Sequence, residues 1–261
     1  MESGSLIVWI IAFTAVGGVL GVLAAGTFLL LPESVRSRGL PSFVSFAIGA
    51  LLGVAFLALI PHAMEEGVDP HHVGFTVLIG ILGFFALEKM VLWRHCHTHD
   101  CELHGSEFEA AKQAATGNLI LIGDGIHNFV DGVLIAAAFM TDIQLGIVTS
   151  IAVIAHEIPQ ELGDFAVLLH SGFSRGRALL YNVLSSLTTV VGGVVAFYSL
   201  MVASSAVPYV LSIAAASFIY VAVADLIPGL HRRPAPKETL QQLVLIGFGV
   251  LVIYAAESTL H

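Results

Sequence analysis

The sequence predicts an all-α membrane protein with eight transmembrane helices, arranged as inverted repeats and with both termini on the extracytoplasmic side. Three observations lead to this prediction: the composition is strongly apolar, the apolar residues form long continuous runs, and the basic residues fall only in alternate connections. Of the 261 residues, 57% are hydrophobic and 11% are charged, and the mean hydropathy is +0.91. A soluble domain carries about 25% charged residues, so this chain is expected to lie mostly in lipid.

Eight runs are long enough to cross a bilayer, which requires about 20 largely apolar residues. They cover residues 6–31, 41–63, 72–94, 115–140, 144–170, 177–203, 207–230 and 240–258. Their apolar residues are continuous rather than alternating, so helices are favoured over the strands of a barrel. The first run is far longer than the roughly 7–15 apolar residues of a signal peptide, so we expect it to be a retained span. The fourth and fifth runs carry polar residues and are expected to lie inside the bundle.

The ten basic residues support the count of eight spans. All of them fall in or beside connections 1–2, 3–4, 5–6 and 7–8, and they are Arg36, Arg38, Lys89, Arg94, Lys112, Arg175, Arg177, Arg232, Arg233 and Lys237. By the positive-inside rule these connections are cytoplasmic. The opposite face has no Lys or Arg, and it carries the acidic residues Glu2, Glu65, Glu66, Asp69 and Asp142. An acidic face attracts cations, although exclusion of Lys and Arg by the topology explains it equally well.

Two function classes are excluded by the same counts. The chain has no basic stripe that could neutralise phosphates, so nucleic acid is not an expected partner. Its only cysteines are Cys96 and Cys101, which makes a secreted disulfide scaffold implausible.

The fourth and fifth spans each carry one stripe of polar residues at helical spacing. The stripes consist of Asp124, His127, Asn128 and Asp131, and of His156, Glu157, Gln160, Glu161 and Asp164. A charged group at the bilayer centre costs about 2.5–3.5 kcal/mol on insertion scales, and neither stripe contains a Lys or Arg that could pair with its carboxylates. A divalent metal resolves this problem, because carboxylate oxygen and imidazole nitrogen are its natural ligands.

Two further features of the spans are typical of transporters. Pro159 has no N–H for the carbonyl of Ala155, and a kink with a free carbonyl at mid-membrane is tolerated where it lines a cavity. The motifs "HNFVD" and "HEIPQ" share a frame on helices of opposite direction, and spans two and seven end in "ALIPHA" and "DLIPGL". Paired inverted segments around a midplane site are characteristic of transporters.

The stretches "HNFVDGVLIAAAF" and "HEIPQELGD" resemble the fourth- and fifth-helix signatures of the ZIP family of divalent metal transporters. Within this family they are most similar to the branch whose fifth helix reads HEIPHELGD. The resemblance implies uptake of zinc into the cytoplasm, with the ion held between the fourth and fifth spans. By position it implies the metal ligands His127, Asn128, Asp131, His156, Glu157, Gln160 and Glu161.

The chain departs from the family pattern at two positions. Gln160 replaces the histidine of that branch, and Thr189 aligns with a sixth-helix glutamate that completes a second metal site in two-metal members. An amide is a weaker zinc ligand than an imidazole, and threonine brings no charge. These departures put a tight second site in doubt and would broaden selectivity toward iron, manganese or cadmium. The short segment before the first span resembles that of a minimal, prokaryotic member.

The connection between spans three and four, residues 95–114, is rich in histidine and cysteine. It carries His95, Cys96, His97, His99, Cys101 and His104, at a spacing that fits no closed zinc finger. We expect a weak metal acceptor or sensor on the cytoplasmic side, with a plain polar loop as the alternative.

Three other functions stay open at this point. "HEIPQ" is similar to the HExxH motif of zinc proteases, but Gln160 occupies the place of the second histidine and a proline interrupts the motif. His127 and His156 could instead be the axial ligands of a haem. A structural or signalling protein is disfavoured by the free energy needed to bury so many carboxylates.

The expected protein is thus a single transporter domain, residues 1–261, in a bacterial inner or plasma membrane, and is not an enzyme. Its expected partners are divalent metal ions and the lipid bilayer, with a homodimer left open. Alternating access would bring a cation, Zn²⁺ or else Fe, Mn or Cd, from the acidic face to the two stripes. Loss of the Asp131 charge in Asp131→Asn is expected to abolish uptake.

Overall fold

The structure, a computed structural model, describes residues 3–65, 67–96, 106–231 and 235–260, and every regular element in these ranges is a helix. The α-helices are α1 (Ser3–Leu29), α2 (Glu33–Val54), α3 (Ile60–Glu65), α4 (Pro70–Cys96), α5 (Ser106–Thr141), α6 (Ile143–His170), α7 (Arg175–Ser186), α8 (Thr188–Val202), α9 (Val207–Tyr220), α10 (Ile227–Leu230) and α11 (Pro236–Leu260). Two π-helical segments (Ala55–Leu59 and Val221–Leu226) and a 3₁₀ turn (Ser204–Ala206) complete them. The prediction of an all-helical membrane protein is confirmed.

Seven helical stretches in the described residues are long and apolar enough to cross a membrane, and each corresponds to one predicted span. They are Gly4–Leu29, Ser37–Glu65, Pro70–Leu87, Ile120–Thr141, Arg175–Val202, Ser204–Leu230 and Pro236–Ser258. The remaining predicted span, the fifth, forms α6, a helix of 28 residues that is not among these seven stretches. The count of eight spans and the orientation of the termini therefore stay predictions.

Helix α6 does not need an apolar surface all round, because other helices surround it. It packs against α1, α2, α5, α7 and α11. The other extensive helix pairs are α5 with α8, α2 with α11, and α4 with α9. The helix that carries the second polar stripe thus lies among protein neighbours, as expected for polar residues in a membrane protein.

The helices that flank the His/Cys-rich connection are longer than the predicted spans. Helix α4 reaches Cys96, and α5 begins at Ser106 rather than at residue 115. The stretch "SEFEAAKQAA" consists largely of strong helix formers, so the helix continues beyond its apolar part. The described residues do not include His97, His99, Cys101 and His104. Their role as a metal acceptor or sensor stays a prediction.

Three predicted spans are interrupted, which the periodicity of the sequence does not reveal. The two π-helical segments directly precede Ile60-Pro61 and Ile227-Pro228. Because a proline cannot donate the usual bond to the fourth preceding carbonyl, a wider turn before it accommodates the ring. The predicted sixth span is divided at Leu187 into α7 and α8.

Glycines allow α5 and α8 to approach very closely. A Cβ atom at Gly132 would collide with the carbonyl of Thr189, and one at Gly192 would collide with the carbonyl of Phe129. Small residues are used in this way between membrane helices, where backbone contact replaces the hydrophobic effect as the source of stability. The contact therefore fixes the position of α5 relative to α8.

We expect Gly132→Ala to lower the thermal stability of the purified protein, because the added methyl group must push α5 and α8 apart. Overpacking of this kind costs about 1–3 kcal/mol. The measurement is the unfolding temperature in detergent, followed by tryptophan fluorescence. Gly83→Ala on α4 is the matched control, since a Cβ there meets nothing within 4 Å. Equal unfolding temperatures for the two variants would contradict the close contact.

Candidate metal centre

Four side chains from α5 and α6 converge on one point and form the central cluster: His127, Asp131, His156 and Glu157. One ligand atom from each lies within 4.8 Å of all the others. The Nε2 atoms of the two imidazoles are 3.3 Å apart, and Asp131 Oδ2 lies 3.5 Å from His127 Nε2 and 3.2 Å from His156 Nε2. Glu157 Oε1 is 3.8 and 3.9 Å from the same nitrogens. A tetrahedral zinc ion with ligands at about 2.0–2.1 Å holds them about 3.3 Å apart, so the spacing suits one such ion.

The carboxylates of the central cluster are buried without cationic side chains beside them. Asp131 is 0% exposed and Glu157 is 1% exposed. Apart from the neighbouring imidazoles, none of their four oxygens has a hydrogen-bond partner in the described part of the chain. A buried carboxylate in this state is strongly unfavourable, and a bound cation removes the penalty.

The ring of His156 is oriented by its own helix. Its Nδ1 atom lies 3.1 Å from the carbonyl oxygen of Ala152, and since a carbonyl can only accept, Nδ1 carries the proton. The lone pair of the neutral ring is then on Nε2, which faces the central cluster. A metal-binding histidine is commonly held by such a second hydrogen bond.

Hydrogen bonds from three hydroxyl groups of α7 and α8 fix the rotation of α5 about its own axis. The donors Ser185, Thr188 and Thr189 bond to Leu121 O (3.4 Å), Gly125 O (2.7 Å) and Asn128 Oδ1 (2.9 Å). The acceptors are spaced four and three residues apart, so they lie on one face of α5. With that face turned to α7 and α8, the neighbouring face presents His127 and Asp131 to α6.

Asn128, a predicted ligand, lies outside the central cluster. Its Nδ2 donates to Asp124 Oδ1 at 2.8 Å, and its Oδ1 accepts from Thr189. Thr189, for which the sequence analysis predicts no metal ligand, is therefore a partner of Asn128. The ligand role of Asn128 stays a prediction.

The other two predicted ligands also lie outside the central cluster. Gln160 is half-buried and lines a cavity beside it. Glu161 is 0% exposed, and within the described residues neither of its carboxylate oxygens has a hydrogen-bond partner. Four of the predicted ligands therefore converge in the central cluster, and the ligand roles of Gln160 and Glu161 stay predictions.

A cavity of about 420 Å³ leads away from the central cluster. It is lined by Ile120, Gly123, Asp124, His127, His156, Pro159, Gln160, Gly163, Asp164, Val221, Asp225 and Leu226. On α5 these residues precede or include His127, and on α6 they follow or include His156, so the cavity extends toward the beginning of α5 and the end of α6. Helix α6 continues through Pro159, which faces this cavity as the sequence predicts.

The sequence analysis missed Asp225, which lines the cavity from the second π-helical segment. An ionisable residue inside an otherwise apolar span is by itself a sign of a functional position. The motif "DLIPGL" drew attention only to its Ile-Pro pair.

The geometry argues against a haem held by His127 and His156. Their Nε2 atoms are 3.3 Å apart, and their rings are nearly perpendicular at 89°. Axial ligands must lie on opposite faces of a porphyrin, and here Asp131 contacts both nitrogens. The two imidazoles are thus arranged to share a single small ion.

Comparison with known proteins identifies relatives. The sequence profile of the family described as ZIP Zinc transporter matches residues 93–257. Zinc transporter ZIP13 of Pongo abelii is 33% identical over 238 residues, which cover 86% of this chain and 69% of that protein. Zinc transporter ZIP4 of Homo sapiens is 30% identical over 296 residues, covering 91% and 45%. Zinc transporter ZIP10 of Mus musculus is 37% identical over 224 residues, covering 78% and 27%. The chain thus spans less than half the length of the last two relatives.

The names of these relatives bear on the functions that the sequence analysis left open. The relatives are named zinc transporters, which confirms that the chain is not an enzyme and removes the metalloprotease alternative. All three come from animals and give the expected bacterial membrane no support. The assignment to the HEIPHELGD branch stays a prediction. The matched region contains both polar stripes and covers more than half of the sequence, and the chain belongs to the ZIP zinc transporter family.

Proposed function

We propose that the chain transports divalent metal cations into the cytoplasm, with zinc as the main substrate, through the central cluster. The observation that carries this proposal is the convergence of two imidazoles and two buried, unpaired carboxylates between α5 and α6. The family relationship supports the same function. Residues His127, Asp131, His156 and Glu157 are the proposed ligands.

The surroundings of the central cluster favour passage of an ion over a permanent structural site. Structural zinc sites are closed and complete. Here the side chain of His127 is 22% exposed, and the cluster adjoins the cavity. A ligand that is accessible to solvent can exchange its metal for water, which transport requires.

The predicted topology supports the direction of transport. We count α6, the predicted fifth span, as crossing the membrane, which gives eight spans, and we take the connections with Lys and Arg as cytoplasmic. The cavity then opens toward the cytoplasm, because it extends to the beginning of α5 and the end of α6. On the other side of the cluster, both helices carry buried apolar residues, including Leu134, Ile135, Val148 and Ala152. This arrangement corresponds to the inward-open state of a transporter.

The helix contacts support the inverted repeat that the short motifs suggest. Such a repeat would make spans one, two and three equivalent to spans six, seven and eight, and span four equivalent to span five. The contact of α1 (span one) with α6 (span five) would then be equivalent to the contact of α8 (span six) with α5 (span four). The pair α2–α11 would likewise be equivalent to α9–α4, and all four pairs are in extensive contact. Related halves of opposite orientation provide two alternative packings, one open to each side.

In the proposed cycle, a hydrated cation enters from the acidic face and exchanges water for the ligands of the central cluster. Asp131 and Glu157 neutralise its charge, and the two imidazoles supply nitrogen ligands. Rearrangement of the helices then closes the outer side and opens the cavity. The mixed nitrogen and oxygen ligands favour zinc over the hard cations Mg²⁺ and Ca²⁺, which prefer oxygen.

We expect Asp131→Asn to abolish saturable Zn²⁺ uptake into proteoliposomes, because the side chain keeps its shape but loses its charge. Glu238→Gln is the matched control, since it makes the same chemical change in the first turn of α11. Uptake of Zn²⁺, Fe²⁺, Mn²⁺ and Cd²⁺ should be compared for the wild type and both variants. Normal zinc uptake by Asp131→Asn at equal protein density would refute the role of the central cluster.

The proposed orientation predicts the labelling pattern of cysteines in intact cells. A membrane-impermeant maleimide added outside should not label Cys96 or Cys101 until the membrane is permeabilised. Ser205→Cys, introduced into a chain lacking both native cysteines, should be labelled from outside, because Ser205 is exposed in the connection after α8. The reverse pattern would contradict uptake in the proposed direction.

Gln160→His tests whether the amide limits selectivity for zinc. If residue 160 contacts the ion during passage, an imidazole there should raise the ratio of Zn²⁺ to Mn²⁺ uptake about tenfold, equivalent to roughly 1.4 kcal/mol. The ratio is measured in proteoliposomes with both metals present. An unchanged ratio would show that Gln160 lines the cavity without binding the metal.

A further inference from the structure

The cavity beside the central cluster has acidic walls, and the residues that line it include no Lys or Arg. Asp124, Asp164 and Asp225 contribute from three different helical segments. Asp124 is only 5% exposed, yet its Oδ2 atom has no hydrogen-bond partner in the described ranges. A buried carboxylate oxygen at the wall of a cavity, without a donor, is a position where a cation is favourable.

Asp124 is held in place by a chain of hydrogen bonds that begins at Thr189. The Thr189 hydroxyl donates to Asn128 Oδ1 at 2.9 Å, and Asn128 Nδ2 donates to Asp124 Oδ1 at 2.8 Å. Each bond uses the group of Asn128 that suits its partner, so the amide cannot rotate without losing both. The chain fixes one oxygen of Asp124 and leaves the other available.

Helix α6 presents complementary groups to Asp124. Gln160 and Asp164 of this helix line the same cavity as Asp124. Glu161 is fully buried beside them, and neither of its oxygens has a donor within the described residues. At about 1.5 Å per residue, Asp124 lies roughly 5 Å and Asp164 roughly 12 Å along its helix from the histidine of the central cluster.

We propose that Asp124, Gln160 and Asp164 form a second cation site, the exit site, in the cavity one to two helical turns from the central cluster. These residues supply two carboxylates and one amide oxygen, so all the protein ligands are oxygen atoms. Because three residues cannot fill the coordination shell of a divalent cation, the bound ion keeps part of its water shell. The place of this site on the transport path rests on the proposed function of the central cluster.

The exit site provides the step after release from the central cluster. A cation leaving two imidazoles and two carboxylates would otherwise lose all four protein ligands in a single step. An all-oxygen site holds zinc less tightly than a site with imidazoles, so the ion moves toward weaker binding as it approaches the cavity mouth. Thr189 contributes no charge of its own but orients Asp124 through Asn128.

The test is the number of Mn²⁺ ions bound by the purified full-length chain, measured from the paramagnetic resonance signal of free Mn²⁺. Mn²⁺ is chosen because it prefers carboxylate ligands to thiolates. The double variant Asp124→Asn, Asp164→Asn should bind one ion fewer per chain than the wild type. Glu238→Gln should match the wild type. The His/Cys-rich connection is the same in all variants, so the differences report on the cavity and the central cluster.

Two further variants separate the exit site from the central cluster and from misfolding. Asp131→Asn should also lose one ion, and its combination with the double variant should lose two. Asp164→Glu keeps the charge and should keep the ion of the exit site. If the double variant binds as many Mn²⁺ ions as the wild type, the proposal of an exit site is wrong. If Asp131→Asn nevertheless binds one ion fewer, the proposed function of the central cluster is still supported. If only the double variant loses an ion, the exit site stands and the central cluster fails.

If Asp164→Glu loses the ion although its chromatographic profile and helical content match the wild type, the assignment of Asp164 is overturned. Retention of the ion in Asp164→Glu, together with its loss in the double variant, supports binding by charge rather than an effect on folding.

Discussion

The burial of Asp131 and Glu157 beside two imidazoles, without a cationic side chain, is the constraint on which the rest of this structure depends. Two buried carboxylates repel each other, and a cation bound between them removes this repulsion. The fold brings them together nevertheless, by close helix contacts. A Cβ atom at Gly21 of α1 would lie 3.2 Å from the Cβ atom of Glu157, a tighter contact than most side chains make, so glycine here favours the close approach of α1. The energetically unfavourable cluster is thus maintained by the packing around it, as expected for a functional site.

The same constraint explains the arrangement of the helices. Helix α6 carries too many charged groups to face lipid, and five neighbouring helices enclose it. The more apolar spans lie outside and expose many large hydrophobic side chains, such as Phe75, Leu78 and Leu82 on α4. Polar chemistry is therefore concentrated at the centre of the bundle, and the cavity is the route by which this centre meets water.

Thr189 shows how one side chain positions its neighbours. Its hydroxyl group donates to Asn128, which in turn orients Asp124. Negative charge is thereby available one helical turn nearer to the cavity mouth, where Asp164 and Asp225 also lie. A path with a nitrogen-rich central cluster and an oxygen-only exit site would favour both selective capture and ready release.

The sequence by itself determined the helical class, the two polar stripes and the family, because these depend on local periodicity, composition and short motifs. It also contained every member of the central cluster. Only the tertiary structure decided that His127, Asp131, His156 and Glu157 converge on one point, while Asn128 bonds to Asp124 and Thr189. Which residues of a stripe meet depends on the rotation of α5 against α6, and that rotation is set by contacts with other helices, including those of Thr189 and Gly132. The π-helical segments, the break at Leu187 and the position of Asp225 likewise depend on packing between distant parts of the chain, which periodicity along one helix does not encode.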